Sequence, residues 1–215
     1  MDPVRKRMAD IFVFGASGHG KVVLDAIERA GEHRVKLLLD DAQQVWGSTL
    51  HDHSVAGGRD VLLQHKEEFQ SGLVAIGDNA ARMKVANWLL AQGFWQVTIV
   101  HPAAVLGRGA ALGPGTVVFA GCVINSDARI GANVIVNTGA VIDHDCVIED
   151  GVHVAPGCRL CGNVFVGAGA FLGAGSVVIP GVRIGRGAIV GAGATVVVDV
   201  PADARVAGTP ARSIR

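Results

Sequence analysis

Tyrosine is absent from this 215-residue chain, and all aromatic residues together make up only 5% of it. Conventional globular cores draw much of their buried area from aromatic rings, so this interior must be filled by smaller side chains. An excess of charge is missing too: Lys+Arg and Asp+Glu both number 19. That balance excludes the broad positive field with which proteins gather nucleic acid or anionic membrane. No stretch approaches the roughly 20 apolar residues of a membrane-spanning helix. The basic opening, residues 1–7, precedes the apolar run Ile11 to Phe14, which is too short for the apolar region of a signal peptide. The four cysteines, at 122, 146, 158 and 161, lack the paired spacing of a zinc finger. They are expected to be free thiols in a cytoplasmic protein.

What the chain does have is glycine, 30 residues of it, among small aliphatics, and this points to a regular stacked architecture. Two halves follow, at 8–99 and 100–215. In the first, strand and helix signals alternate: a strand at Ala9 to Phe14, a helix from about Lys21 to Ala30, and a strand at Val35 to Leu39. A strand at Leu73 to Ile76, a helix near Ala80 to Ala91 and a strand at Gln96 to Val100 complete it. Alternation of this kind predicts a Rossmann-like α/β domain with a parallel sheet, whose ligand lies beyond the C-terminal strand ends.

From residue 100 the period becomes six. Val100, Leu106, Leu112, Val118, Ile124, Ile130, Val136 and Ile142 are aliphatic, and the register continues without a slip through Ile148 to Val190. Four residues after each comes a small or slender side chain, as at Ala104, Thr116, Cys122, Cys146 and Cys158. Each unit reads as a short strand and a corner, and three units close a triangular coil of 18 residues. The chain then forms a parallel β-helix of about five coils, stacked at roughly 4.8 Å. Side chains alternate along a strand, so the aliphatic and the small position both point inward. The glycines that often follow the aliphatic position are expected where the backbone needs a positive φ.

The hexad pattern resembles the bacterial hexapeptide acyltransferases. GASGHGK at 15–21, LLDD at 38–41, AIGDN at 75–79, NTGAVIDHDCVIEDGVHVAPG at 137–157 and GTPAR at 208–212 narrow it. Together they resemble the sugar-nucleotide N-acetyltransferases of the bacillosamine and perosamine type, with the sialic-acid O-acetyltransferases. The resemblance implies a left-handed coil and a homotrimer with active sites between subunits. It also implies acetyl-CoA as co-substrate and N-acetylation of a nucleotide-linked amino sugar, such as a 4-amino-4,6-dideoxy sugar, for bacterial surface glycan (O-antigen) synthesis. O-acetylation of a sialic acid is the alternative. A non-catalytic sugar-nucleotide-binding protein is a third class.

Acetyl transfer to an amine needs a base for the proton, donors for the thioester oxygen and a held CoA. By hexad counting His144 and Asp145 fall at a corner, where an imidazole oriented by a carboxylate suits the base. The resemblance assigns them that role; the plain reading is a surface pair. The family pattern has Glu where this chain has Asp145. His153 points outward from a flat face, half a coil from His144, so the two can meet only across a subunit interface. It is implied to touch substrate or acetyl group, and otherwise to be an interface residue. Asn137 is implied to touch the sugar. Gly162, Ala174, Gly191 and Ala192, with His153, are the expected CoA contacts, and the segment 207–212 is expected to close over CoA.

The Gly15 to Gly20 loop lies between a strand and a helix, with Asp40 and Asp41 some twenty residues on. Its spacing, G-x-x-G-x-G, departs from the dinucleotide fingerprint and favours a nucleotide-diphosphate sugar over NAD. Ser17, His19, Asp40, Asp41, Gly77 and Asn79 are the expected contacts to it. A zinc site is not expected. Residues 18 apart stack, and the neighbours of His144 are Ser126 and Gly162, while those of His153 are Ile135 and Phe171, so no histidine ladder forms.

Overall fold

The computed structural model describes residues 8–214, and the basic opening segment and Arg215 lie outside the described residues. The N-terminal half runs β1 (Ala9–Phe14), α1 (Gly18–Ala30), β2 (His33–Leu39), β3 (Thr49–Leu50), β4 (His53–Gly57), α2 (Arg59–Gln64), β5 (Ser71–Val74), α3 (Asn79–Ala91) and β6 (Trp95–Gln96). The sheet order is β3-β4-β2-β1-β5-β6, parallel except for the β3/β4 pair at its edge. From β1 the chain moves outward to β2 on one side and returns to β5 on the other. This places a topological switch point at the C-terminal end of β1, where open α/β sheets bind ligands.

β1 is apolar on both faces because both are covered: Ile11 and Val13 pack on α1, while Phe12 and Phe14 face the cluster that includes Val85 and Leu89 of α3. α1 buries Val23, Leu24, Ala26 and Ile27 and ends at Gly31, whose φ of 68° is the left-handed cap conformation. The sequence signals for β1, α1, β2, β5 and α3 hold within a few residues. The β3/β4 hairpin and α2 carry no such signal, because elements of two to six residues are too short for periodicity to register.

Beyond β6 the chain winds as two-residue strands in three parallel faces, and face one closes with the three-residue strand Arg205–Ala207 and the antiparallel Arg212–Ser213. Face one begins with Ile99–Val100, so the expected strand at 96–100 is divided between two sheets. It continues through Val117–Val118, Ile135–Val136, His153–Val154, Phe171–Leu172 and Ile189–Val190. Face two runs from Val105–Leu106 to Thr195–Val196, and face three from Ala111–Leu112 to Arg183–Ile184. The register advances by 18 residues per coil, pairing His153 with Ile135 below and Phe171 above.

The aliphatic and small positions form one continuous interior, with Val118, Ile124, Ile142 and Leu160 beside Cys122, Cys146 and Cys158. The buried thiols donate along the stack, Cys122 Sγ to Asn137 O at 3.0 Å and Cys158 Sγ to Gly173 O at 3.1 Å. The expectation for glycine needs correction. Positive φ falls three residues after the aliphatic position, where Gly, Asn or Asp stands, and not one residue after it. Glycine directly after the aliphatic position serves close approach: a Cβ at Gly113 would lie 2.5 Å from the Gly131 carbonyl carbon one coil above.

Face one is not solvent-exposed at its lower end. Ile99, Val117, Phe119 and Ile135 share a core with α1 and β1, so the two halves are welded by apolar contact.

Candidate active site

Two constellations hold nearly all of the residues expected to act: a seam between the halves, and a corner of the β-helix. At the seam the loop after β1 is pressed against the strand beside it. A Cβ at Gly15 would lie 2.6 Å from Ala75 O, and Gly15 has a φ of 122°, so the position requires glycine. Ser17 is the N-cap of α1, exposed, with its hydroxyl making no cap bond. Asp40 faces inward, its carboxylate accepting from Ala16 N at 2.7 Å and Ala42 N at 2.8 Å. It braces the glycine loop, which leaves Asp41 as the outward carboxylate, ion-paired with Arg59 at 2.9 Å.

His19 rises from the first turn of α1 toward face one. Its ring meets Phe119 edge-on with centroids 5.6 Å apart and lies 6.3 Å from the ring of His153. His153 does point outward from face one. Its cover, however, is the chain's own N-terminal domain, which leaves it 9% exposed. His153 Nδ1 lies 3.3 Å from Gly77 O, Nε2 lies 3.1 Å from Asn137 Nδ2, and Phe171 stands against its ring at 5.2 Å. Burial pushes both His19 and His153 down to about 4, helped by Arg82 at His153 and by His153 and then Arg82 at His19, so both are neutral at pH 7. A cavity of about 430 Å³ opens beside them, bounded by Gly77, Asp78, Asn79, Met83, Phe171 and Ile189.

Asn79 differs from expectation. Its side chain is committed to protein: Nδ2 donates to Gly169 O and Ala170 O, and Oδ1 accepts from Arg82. Arg82 was not singled out in the sequence at all, since one arginine on a helix reads as a solvated charge. It is 1% exposed. The available signal was the apolar outward row at 18-residue spacing, Ile99, Val117, Ile135, which requires a covering domain and hence a buried joint.

The corner is built differently. Asp145 sits in the left-handed turn slot with a φ of 57°, a conformation that Asp tolerates better than most residues. Its Oδ2 lies 2.8 Å from His144 Nδ1, so the shorter acid still reaches the imidazole. Asp143 Oδ1 accepts from His144 N and from Asn125 Nδ2, which pins the corner. His144 and Asp145 are 53% and 55% exposed. Asp145, then the Asp143 charge, raise His144 above the ordinary histidine value. The ring lies over Gly162 one coil up, where a Cβ would come within 2.5 Å of Cε1 and Nε2.

Gly162, Ala174 and Ala192 share the hexad slot of His144, two residues after the aliphatic position. N–H groups in this slot lie outside the coil-to-coil ladder; side-chain oxygens take them at Ala132, Thr138, His144 and Ala168. Gly191 is placed otherwise, with its N–H on Val206 O. Asn137, Ala174 and Ala192 turn the edge between faces one and two, and His144 and Gly162 the edge between faces two and three. Within one chain the strands of face two separate the two edges.

A parallel-sheet domain seated on hexapeptide coils, with an acid-supported histidine at a coil corner, defines the class of hexapeptide-repeat acetyltransferases. Known proteins agree. Residues 10–89 match the PglD N-terminal domain, and residues 127–162 and 163–197 match the bacterial transferase hexapeptide repeat. A single-residue variant of perosamine N-acetyltransferase from Caulobacter crescentus, solved with CoA and GDP-perosamine, superposes with a TM-score of 0.92. It is 38% identical, over 96% of this chain and 97% of that one. The acetyltransferase domain of PglB from Neisseria gonorrhoeae, solved with acetyl coenzyme A, is 33% identical over 96% of this chain and all of that one, with a TM-score of 0.89. UDP-N-acetylbacillosamine N-acetyltransferase of Bacillus subtilis is 37% identical over 111 residues, and the match spans about half of that protein and of this chain. The chain belongs to the nucleotide-sugar N-acetyltransferase family that joins a PglD N-terminal domain to a left-handed β-helix of hexapeptide repeats.

Proposed function

We propose that this protein transfers the acetyl group of acetyl-CoA to the amino group of a nucleotide-linked amino sugar, such as a 4-amino-4,6-dideoxy sugar, for bacterial surface glycan synthesis. The observation that carries this is the His144–Asp145 pair, a basic imidazole held at 2.8 Å by a carboxylate and exposed at a coil corner. His144 Nε2 removes the proton as the sugar nitrogen attacks the thioester carbon. The N–H of Gly162 donates to the thioester oxygen as it gains charge, and CoA leaves as the thiol with the proton from His144. The N–H groups of Ala174 and Ala192 serve the pantetheine amides, with the 207–212 segment over the cofactor.

The acceptor binds at the seam. Its diphosphate lies over Ser17 and the N-terminus of α1, where unpaired helix N–H groups favour an anion. Its nucleoside is placed toward Asp41, and its sugar toward His19, Asn137 and His153. Face two separates the His144 edge from the Asn137 edge within one chain, which supports a site that joins one copy's corner to another copy's seam in a homotrimer. The valines of the outward row of face two, Val105, Val123, Val141 and Val177, support association, with Val105 59% exposed. Among the described residues no helix is long and apolar enough to cross a membrane, which accords with a cytoplasmic site of action.

The test is a panel of GDP-, UDP- and CMP-linked sugars with acetyl-CoA, read as thiol release and product mass. Amide formation on an amino sugar nucleotide is expected; an alkali-labile ester on a sialic acid would replace this reading with O-acetylation.

A further inference from the structure

Arg82 brings a full positive charge into the joint between the halves, and it does so without a carboxylate in hydrogen-bond contact. All five of its N–H donors are satisfied. Nε donates to Asn133 O at 2.9 Å, Nη1 to Ile76 O and Gly77 O at 3.1 Å each, and Nη2 to Asn79 Oδ1 and Gly151 O at 2.8 Å each. Asn133, Gly151 and Gly169 occupy the same turn slot in three successive coils. Arg82 takes the first two carbonyls, and Asn79, one turn earlier on α3, takes the third. Only a rigid planar fork with five donors fits this set of acceptors. Burying an arginine against neutral oxygens is costly, since desolvation pulls Arg82 down to about 10, and a plain joint would be served better by apolar contact.

The carbonyl of Gly77 shows what the charge is for. It accepts from Arg82 Nη1 and also faces His153 Nδ1. A carbonyl can only accept, so Nδ1 of His153 must carry its proton. On the other side of the ring, Asn137 Oδ1 accepts from Thr138 N at 2.8 Å, which fixes the Asn137 amide so that Nδ2 faces the imidazole. Nδ2 is a donor, so His153 Nε2 must accept. The network therefore admits one form of the ring, neutral with the proton on Nδ1. An imidazolium would set two donors against each other at 3.1 Å.

We propose that Arg82 is a positioning residue for the acceptor site: by locking the Gly77 carbonyl and joining it to the Asn133 and Gly151 turns between faces three and one, it holds His153 and Asn137 in the one hydrogen-bonding arrangement presented to the sugar. This rests on the reading that His153 faces the acceptor. Arg82 from α3 is the charged group acting on His153; His19 from α1 faces it with ring centroids 6.3 Å apart and is itself acted on by His153 and Arg82, while Asp78 acts on Arg82 from the helix N-cap. The buried guanidinium lowers the proton affinity of both imidazoles, which works in the same direction as the hydrogen bonds. A neutral ring at this position lets the acceptor's amino group approach without a second cation in front of it.

The test is nitrogen-15 NMR of labelled histidines in the full-length protein, which reads tautomer and titration together. In the unmodified protein His153 should show the Nδ1–H form and stay neutral down to about pH 4. Arg82→Lys keeps a charge but loses the fork. It should give a mixed tautomer and lower kcat on the order of tenfold, the scale of one lost charge-assisted hydrogen bond, with the KM for acetyl-CoA unchanged. In a His153→Asn background the same substitution should add little. Asn79→Ala removes one acceptor of the guanidinium at the exposed start of α3 and should broaden the His153 tautomer signal if Arg82→Lys does not fold. An Nε2–H form in the unmodified protein would overturn the proposal, as would a His153 spectrum unchanged in folded Arg82→Lys or Asn79→Ala. If His153→Asn alone leaves kcat and the acceptor KM intact, the placement of the sugar fails, while the NMR result still decides the role of Arg82.

Discussion

The seam and the corner present the same side chain in opposite conditions. At the seam His153 lies under the N-terminal domain, next to a buried guanidinium, with both ring nitrogens bonded to protein. At the corner His144 is exposed, next to two carboxylates, with Nε2 facing outward over a glycine. Burial and a neighbouring cation hold the first neutral and fixed, while anions make the second more basic than a free histidine. The contrast supports the roles proposed for the two residues: a proton carrier needs an accessible nitrogen and a proton affinity near working pH, whereas a binding group needs a single protonation state. The fold produces the contrast because face one is covered by a domain and the corner between faces two and three is not.

The largest expected effect lies at the corner. His144→Asn should lower kcat by roughly 10²–10⁴-fold, the range for losing a general base, with CoA and acceptor affinity preserved. Isothermal titration beside steady-state kinetics would show this; a variant with most of its activity at every pH would remove the distinction between the two histidines. Gly162→Ala comes next. The added Cβ would occupy the space of the imidazole, and a displacement of about 1 Å costs on the order of 10²-fold in rate.

Asp145→Asn should have a smaller effect, with a sharper signature. Asp145 is the largest cause of the raised His144 value, so the acidic limb of the kcat profile should sit above about 6.5 in the unmodified enzyme and move down toward it in the variant. No movement would mean that His144 does not govern that limb.

The smallest effect concerns stability and belongs to the seam. His19 and His153 have folded values near 4, below their unfolded 6.5. The unfolded chain therefore takes up protons first as pH falls. The contribution of the neutral pair is present above 6.5 and is lost as pH drops through 4. Denaturant midpoints should decline across that window, and less steeply in His153→Asn.

How much of this was legible in the sequence follows from where the information is repeated. The β-helix states its rule at every hexad, so the coil, its register and the corner position of His144 could be read by counting. The seam is stated once. Arg82 is one cation on an ordinary helix, and Asn79 reads as a strand-end contact until its amide is seen on Gly169 and Ala170. Asp40 and Asp41 are adjacent and alike in sequence; only the turn after β2 sends one inward to the glycine loop and the other out to Arg59. The welding of the halves has a practical consequence: a protein shortened to begin near His101 would bare Val117, Phe119 and Ile135 and is expected to lose solubility.

The central claim is that one active site joins the corner of one copy to the seam of another. It is tested most directly by purifying mixed assemblies of His144→Asn and His153→Asn chains carrying different tags, then measuring acetyl transfer. Each parent lacks one half of every site, whereas some interfaces of a mixed assembly unite an intact His144 with an intact His153. The account predicts that the mixed assemblies are clearly more active than the mean of the two parents, because only they hold sites with both histidines intact. Mixed assemblies no more active than their parents would place both histidines in the site of a single chain and contradict it.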